Sequence, residues 1–423
     1  MIDREKLSWA LYDWGNSAYA TVVMAGFFPL FFKTYWAGDA SATESTFYLG
    51  LTNSAASLAI MIAAPLLGAI ADSGSLKKKL LGVFAFIGAA LTACLALLAS
   101  GQWQLALALY LAATLGFMGS NIFYDALLID VAEESKRDWV SALGYGVGYL
   151  GGGALFALNV AMTQWPEAFG LADRAAAVRA SFVCVAIWWS VFTLPLLLFV
   201  TEHRTPQSQQ GSGQALRTAW QDLIATLRHL RQLPMTYMFL IAYWFYIDGV
   251  DTVIRMAVDY GLAIGLNAND LILALLITQF IGFPAALVYG KLGERFGAKR
   301  GIMVGIFAYV IALIFAYRME TAAEFYALAV FIGLFQGGIQ ALSRSLFSTI
   351  IPPAKAGQFF GFYNMFGKFA VVMGPLLMGL TGLVLEDSRA AILSILVLFV
   401  VGALLLQRVD LRAARIAATK DTE

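Results

Sequence analysis

Apolar runs of about 20 residues recur along nearly the whole chain, and they leave few ways to fold. A helix rises 1.5 Å per residue, so about 20 residues match the roughly 30 Å hydrocarbon core of a bilayer. In lipid, every backbone N–H and C=O must be satisfied inside the spanning element, which admits only helices or closed barrels. These runs do not alternate apolar with polar residues, so helices are expected. Twelve spans are expected, at about residues 8–33, 47–71, 80–100, 104–130, 139–163, 179–201, 235–261, 269–290, 301–318, 324–350, 359–385 and 389–407. The fold class is therefore an all-α membrane protein. Composition agrees: 13% of the 423 residues are charged, against about 25% in soluble domains.

Between the sixth and seventh spans the chain turns polar, with E-H-R-T-P-Q-S-Q-Q-G-S-G from Glu202. Trp220, Leu223, Ile224, Leu227 and Leu230 then form an apolar stripe flanked by Arg217, Arg228 and Arg231. Such a stripe suits a helix on the membrane surface or a connector packed on the bundle. The domain organisation is thus a six-helix bundle over 1–201, a linker with an amphipathic helix over 202–234, a second six-helix bundle over 235–407 and a tail over 408–423. Twenty of the 28 Lys and Arg residues fall on the side of the termini, five on the other and three within spans. The excess of positive loops marks the cytoplasmic side. The charged N-terminus runs directly into the first span, without the short apolar region and small-residue cleavage site of a signal peptide. Trp9, Trp36, Trp103, Trp139 and Trp165 fall near span ends and are expected as interface anchors.

Charges inside spans single out candidate functional residues, because each costs roughly 2.5–3.5 kcal/mol at the bilayer centre. Trp244, Asp248, Asp251 and Arg255 follow at steps of 4, 3 and 4, which suits one helical face. Asp251 and Arg255 either neutralise each other or offer Arg255 to a substrate carboxylate. Asp248 is a candidate proton carrier. Similar polar faces stand on the first, fourth and tenth spans, with Asp13 and Asn16, Asn121 and Asp125, and Gln336, Gln340 and Arg344. The candidates for substrate binding or coupling are Trp244, Asp248, Asp251, Arg255, Asn16, Asn121, Gln336 and Gln340. Arg344 and Lys368 lie toward the terminal side, at a depth similar to Asp72, Asp125, Asp130, Glu133 and Glu134 in the other half. Together with Asp13 and the loop residues Glu294 and Arg295, they are expected to form a cytoplasmic gate.

Two cysteines and two histidines give no disulfide framework and no metal site. No cofactor, nucleic acid or catalytic triad is indicated, and no Walker motif appears. G-x-G-x-x-G over residues 146–151 lies in a span with no preceding strand, so small-residue helix packing explains it. The chain is expected not to be an enzyme.

The two halves carry a repeat. G-A-I-A-D-S-G-S-L-K-K-K from Gly68 and G-K-L-G-E-R-F-G-A-K-R from Gly290 align Gly68, Asp72 and Lys77 with Gly290, Glu294 and Lys299 at one constant shift. The second copy resembles the loop motif of the major facilitator superfamily. L-Y-D-W-G-N-S-A-Y-A from Leu11, Y-D-A-L-L-I-D-V-A from Tyr124, G-G-I-Q-A-L-S-R-S-L-F-S-T-I-I-P from Gly337 and F-F-G-F-Y-N-M-F-G-K-F from Phe359 resemble its vacuole-effluxer-like branch. The resemblance implies twelve transmembrane helices in two pseudo-symmetric halves, with helices 1, 4, 7 and 10 lining a central cavity. It implies a secondary transporter working by alternating access, with amino acids or related metabolites as substrate and export as direction. Protons are a candidate coupling ion. The expected setting is a monomer in a bacterial inner membrane, with the lipid bilayer and a small molecule as partners. Efflux of drugs or lipid-like molecules, or a non-transporting sensor or partner subunit, stand as alternatives.

Overall fold

The computed structural model describes residues 3–38, 42–203, 233–369, 373–385 and 388–420, and within them the elements are helices. The linker stripe around Trp220 lies outside the described residues. Helix α1 runs over Arg4–Trp36, with π-helical turns at Tyr19–Phe27 and Phe32–Trp36. Then follow α2 (Ala42–Gly74), α3 (Lys77–Cys94), α4 (Trp103–Ala126), α5 (Arg137–Gln164) and α6 (Arg174–Phe199). The second part holds α7 (Pro234–Ala263), α8 (Ala268–Phe296), α9 (Ala298–Arg318), α10 (Ala322–Ser348), α11 (Ala356–Phe369), α12 (Met373–Leu385), α13 (Ser388–Leu393), α14 (Leu396–Arg408) and α15 (Leu411–Lys420). Hereafter the end carrying Arg4, Lys77–Lys79 and Arg408 is called the basic end.

Local chemistry sets many helix boundaries. The Asp3 side chain accepts from the Lys6 amide at 2.9 Å and caps α1. The Lys6 ammonium beside it holds the Asp3 carboxyl below the usual carboxylate range. Asp173 caps α6 in the same way, and Thr321 and Glu324 form a capping box for α10. Gly297, at φ 90°, turns the chain between α8 and α9 where a side chain would be strained.

Eleven helices among the described residues are long and apolar enough to cross a bilayer. The expected span not counted among them, 359–385, is described as α11 and α12, and residues 370–372 between them lie outside the described residues.

Buried apolar side chains gather in two clusters. One is drawn from residues 9–200; the other runs from 233 to 414 and includes Ala126. Close backbone contacts tie the two. A Cβ on Gly68 would lie 2.1 Å from the Gly357 carbonyl oxygen, and one on Gly361 2.5 Å from that of Ala64, so α2 and α11 touch backbone to backbone. Helix α5 uses its glycines on two sides. Gly148, Gly151 and Gly152 admit α1, while Gly146 and Gly153 face α8. The G-x-G-x-x-G string is therefore a packing device.

Two expected interface anchors are core residues instead. Trp9 is fully buried, stacks on Tyr124 at 4.3 Å and donates its indole N–H to the Tyr124 carbonyl at 3.1 Å. Trp36 is buried against Phe28, Phe31 and Phe182. Position near a helix end told of depth, whereas packing chose the inward face.

Helices α3 and α4 cross at Gly88 and Gly116, where a Cβ on Gly116 would sit 2.7 Å from the Gly88 Cα. Backbone cannot yield as a side chain can, so Gly116→Val is expected to cost about 1–3 kcal/mol. A thermal unfolding scan in detergent should show a lowered melting temperature; an unchanged one would contradict this contact.

Candidate functional site

A cavity of about 360 Å³ lies between the two clusters, within the usual range for small-molecule sites of roughly 300–1,000 Å³. Its wall carries Asn16, Asn121, Asp251, Gln336 and Gln340 from four different helices, as the sequence predicts. Asn16 donates to Asn121 at 2.6 Å, which ties α1 to α4. The Tyr149 hydroxyl donates to Gln340 at 3.0 Å and the Gln279 amide to Thr21 at 2.7 Å, so hydrogen bonds also cross between the halves. Tyr145, Tyr149, Tyr243, Tyr363 and Gln279 line the wall without having been singled out in the sequence. The spacing of Tyr145 and Tyr149, one turn apart on the glycine-rich α5, was a usable signal.

Helix α7 does not present its polar residues as one stripe. Tyr243, Ile247, Asp251 and Ile254 face the cavity at steps of 4, 4 and 3. Trp244, Asp248 and Arg255 each lie one position further on, and none belongs to the wall. Asp248 is fully buried against α12, where Oδ1 accepts from the Gly374 amide at 3.0 Å and from the Thr252 hydroxyl at 3.2 Å. Trp244 packs beside Phe245 in the second cluster. Arg255 is exposed and lies in electrostatic reach of Tyr110 on α4. A step of 100° per residue explains the correction: residues spaced by three and four share a face about 100° wide, which is wide enough to straddle a cavity wall and a neighbouring helix.

Three groups expected in the gate form the cavity floor. The Arg344 guanidinium is 2% exposed and lies 3.1 Å from Asp125 and 3.8 Å from Asp13. It also donates to the Ser141 hydroxyl and carbonyl, both at 2.9 Å, and sits over the rings of Trp9, Tyr124 and Tyr145. A buried cation is tolerable only with counter-charges and filled donors, and this one has both. Asp125 also accepts from Asn364 at 3.0 Å, and Asp13 from the Tyr124 hydroxyl at 3.1 Å. The floor thus joins α1, α4, α5, α10 and α11.

Below the floor the basic end is sealed. Asp72, at the end of α2, accepts from the Gly357 and Gln358 amides at 2.9 and 2.8 Å. A carboxylate placed on the free N–H groups at the start of α11 is favoured by both hydrogen bonding and the helix dipole. Lys77 bridges Asp72 at 3.8 Å and Asp130 at 3.2 Å and holds that carboxylate in place. On the other seam Arg137 donates to the Ser348 carbonyl, Ser141 to the Ala341 carbonyl and Ser345 to Asp138. Arg137, Asp138, Ser141 and Ser345 were not among the sequence candidates; the bonds of Arg137 and Ser141 end on backbone carbonyls, which leave no charge pattern.

Other gate candidates do not bridge the halves. Glu133 is exposed and pairs locally with Lys136 at 3.6 Å. Glu294 and Arg295 are exposed at the end of α8, and Arg295 lies over Phe296. The repeated loop is therefore not used symmetrically: Asp72 reaches across a seam, whereas Glu294 remains in solvent. The side chain of Lys368 lies outside the described residues. Among the described residues no group of His, Cys, Asp and Glu could hold a metal ion.

Comparison with known proteins places this architecture. A family described as "Vacuole effluxer Atg22 like" matches residues 35–136 and 129–419. The chain is 41% identical over 405 residues to the Bacillus subtilis protein named "Uncharacterized MFS-type transporter YxiO", covering 95% of this chain and 94% of that one. It is 25% identical over 383 residues to "Autophagy-related protein 22" of Eremothecium gossypii, covering 83% and 74% of the two chains. Among solved structures, the human organic anion transporter MFSD10 superposes with a TM-score of 0.74 at 16% identity, over 96% of this chain and 99% of that one. A structure of the proton:xylose symporter XylE gives 0.69 at 15% identity, over 96% and 94%. At such identities the structures report a shared fold.

Replacing Asp72 by Ala would leave the Gly357 and Gln358 amides without their acceptor and Lys77 with one carboxylate fewer. The seal should loosen. With Cys94 and Cys184 changed to Ala and a cysteine placed at buried Ser345, a water-soluble maleimide should label the Asp72→Ala protein several-fold faster than its parent. Equal rates would rule out this part of the seal.

Proposed function

The chain belongs to the vacuole effluxer Atg22-like family of the major facilitator superfamily and is a secondary transporter of a small solute; from that premise we propose that it exports amino acids or related metabolites by alternating access. The observation that carries this reading is the contrast along one axis: a polar cavity above a floor of buried ion pairs, and a hydrogen-bonded seal below it. On this reading α11 and α12 act as one span, giving twelve. Residues 1–201 and 235–407 rock as two six-helix bodies, joined by 202–234 and followed by the tail. The basic end is cytoplasmic by the charge rule, so the arrangement corresponds to an outward-facing state. The expected setting is a bacterial cell membrane, and one chain completes both cavity and seal.

The geometry supports a zwitterion through Asp251 on one wall and Arg344 at the floor. Arg255, which stands outside the wall, yields the anchoring role to Arg344. A substrate carboxylate would compete with Asp125 and Asp13 for the guanidinium. A solute that binds better when the floor is loosened shifts the equilibrium toward opening, and that differential affinity is what alternating access requires. The cavity also meets a small apolar chamber of about 50 Å³, bounded by Val253, Ala257, Leu271, Ala274, Leu328 and Ile332. An aliphatic side chain fits there; the same chamber favours the second reading, efflux of amphipathic drug-like molecules.

Flux of labelled amino acids into and out of proteoliposomes, with and without a pH gradient, tests this. Asp251→Asn and Arg344→Ala are expected to lower flux more than tenfold, whereas Asp248→Asn should lower the melting temperature and leave KM unchanged. Selective flux of amphipathic drugs with none of amino acids would favour the second reading.

A further inference from the structure

The chain beyond the last span forms a helix, α15, that is docked on the bundle. Asp410 accepts from the Arg412 and Ala413 amides at 2.9 and 3.2 Å and so caps it. The Lys299 ammonium, at the start of α9, donates to the Gln407 and Val409 carbonyls at 2.9 and 2.8 Å and fixes the turn before it. Ala414 and Ala418, one helical turn apart, are buried, and the helix packs on α7. All of these contacts lie within the second half, so α15 is part of that half.

Its outer face reaches the other half. Arg412, Arg415, Ile416 and Thr419 are exposed, and the Arg415 guanidinium lies 3.4 Å from the Glu134 carboxylate in the short turn between α4 and α5. That pair sits beside the seam. Glu134 is in electrostatic reach of Arg137, which donates across the seam to the Ser348 carbonyl. Arg415 is in electrostatic reach of Asp138, which accepts from Ser345 across the same seam. We propose that α15 is a strap over the basic-end seam: Arg415 clasps Glu134 while the seal is shut, and the pair parts when the seal opens. The proposal rests on the alternating-access reading above. It gives the tail a part in gating, through a helix that touches neither the cavity nor its floor.

The strap biases the seal and does not lock it. Both side chains are half exposed, and an exposed pair changes an equilibrium by at most about fivefold. It is also open to screening, because the Debye length falls to about 3 Å at 1 M salt.

The test uses the full chain in lipid nanodiscs, needs no known solute, and reads distances between spin labels. Labels go at exposed Lys79 on α3 and Arg300 on α9, at the basic ends of the two halves, with Cys94 and Cys184 replaced by Ala. Asp72→Ala, which removes an acceptor from the seal, is the opened control and should raise the long-distance population. Arg415→Glu and Glu134→Arg should each raise the ratio of long to short distances about two- to fivefold at low salt. The double variant, with the pair reversed, should return toward the parental ratio. Salt at about 1 M should draw the parent and the three charge variants together. Single variants with the parental ratio, a double variant no closer to the parent than the singles, or a shift that ignores salt would overturn the strap; an Asp72→Ala protein that still opens would then leave alternating access standing. One distance in every protein, Asp72→Ala included, would overturn the alternating-access reading, and this proposal with it.

Discussion

Arg344 is the point on which the two halves close. A guanidinium removed from water must recover its solvation from neighbours, and it does so from two acids, the serine on α5 and three aromatic faces. Those neighbours all come from the first half, whereas Arg344 belongs to the second, so the arginine is satisfied only while the halves meet at this end. The same contacts that seal the protein also form the floor of its cavity. On the reading proposed above, a ligand that draws on Arg344 would act on the seal directly, with no relay of intermediate residues.

Backbone approach does the remaining work of closure. Gly68 and Gly361 let α2 and α11 meet without side chains between them, and this brings Asp72 onto the first amides of α11. Such contacts break as a unit when helices tilt, because hydrogen bonds and van der Waals contacts fail within an ångström or so. A seal made of short bonds over small residues is suited to two discrete states. On the other seam Ser345, Ser348 and Ala341 serve through hydroxyls and carbonyls, again over short distances.

Much of the site was legible in the residues. Polar residues inside apolar spans cost free energy, so the positions that keep them are few, and Asn16, Asn121, Asp251, Gln336 and Gln340 do come together in one wall. Helix α7 shows the limit of that reasoning. Trp244, Asp248 and Arg255 share a helical face with Asp251, yet the cavity takes Asp251 and leaves the others to a helix neighbour or to solvent. The tyrosines of the wall were missed because an aromatic residue in an apolar span draws no attention, although its hydroxyl supplies much of the polarity.

The sequence by itself determined that this chain spans a membrane as helices, with a basic end and an internal repeat, because lipid forbids unsatisfied backbone and loops record charge. It also determined which positions bear charge at membrane depth. Only the tertiary structure decided which of those charges meet. Asp72 reaches α11 while its repeat partner Glu294 stays in solvent, and Asp13 shares Arg344 with Asp125 while Asp248 turns to α12. Periodicity fixes a residue's depth and an arc of roughly 100°, whereas an ion pair needs its partners within 4 Å; that last narrowing comes from how neighbouring helices pack.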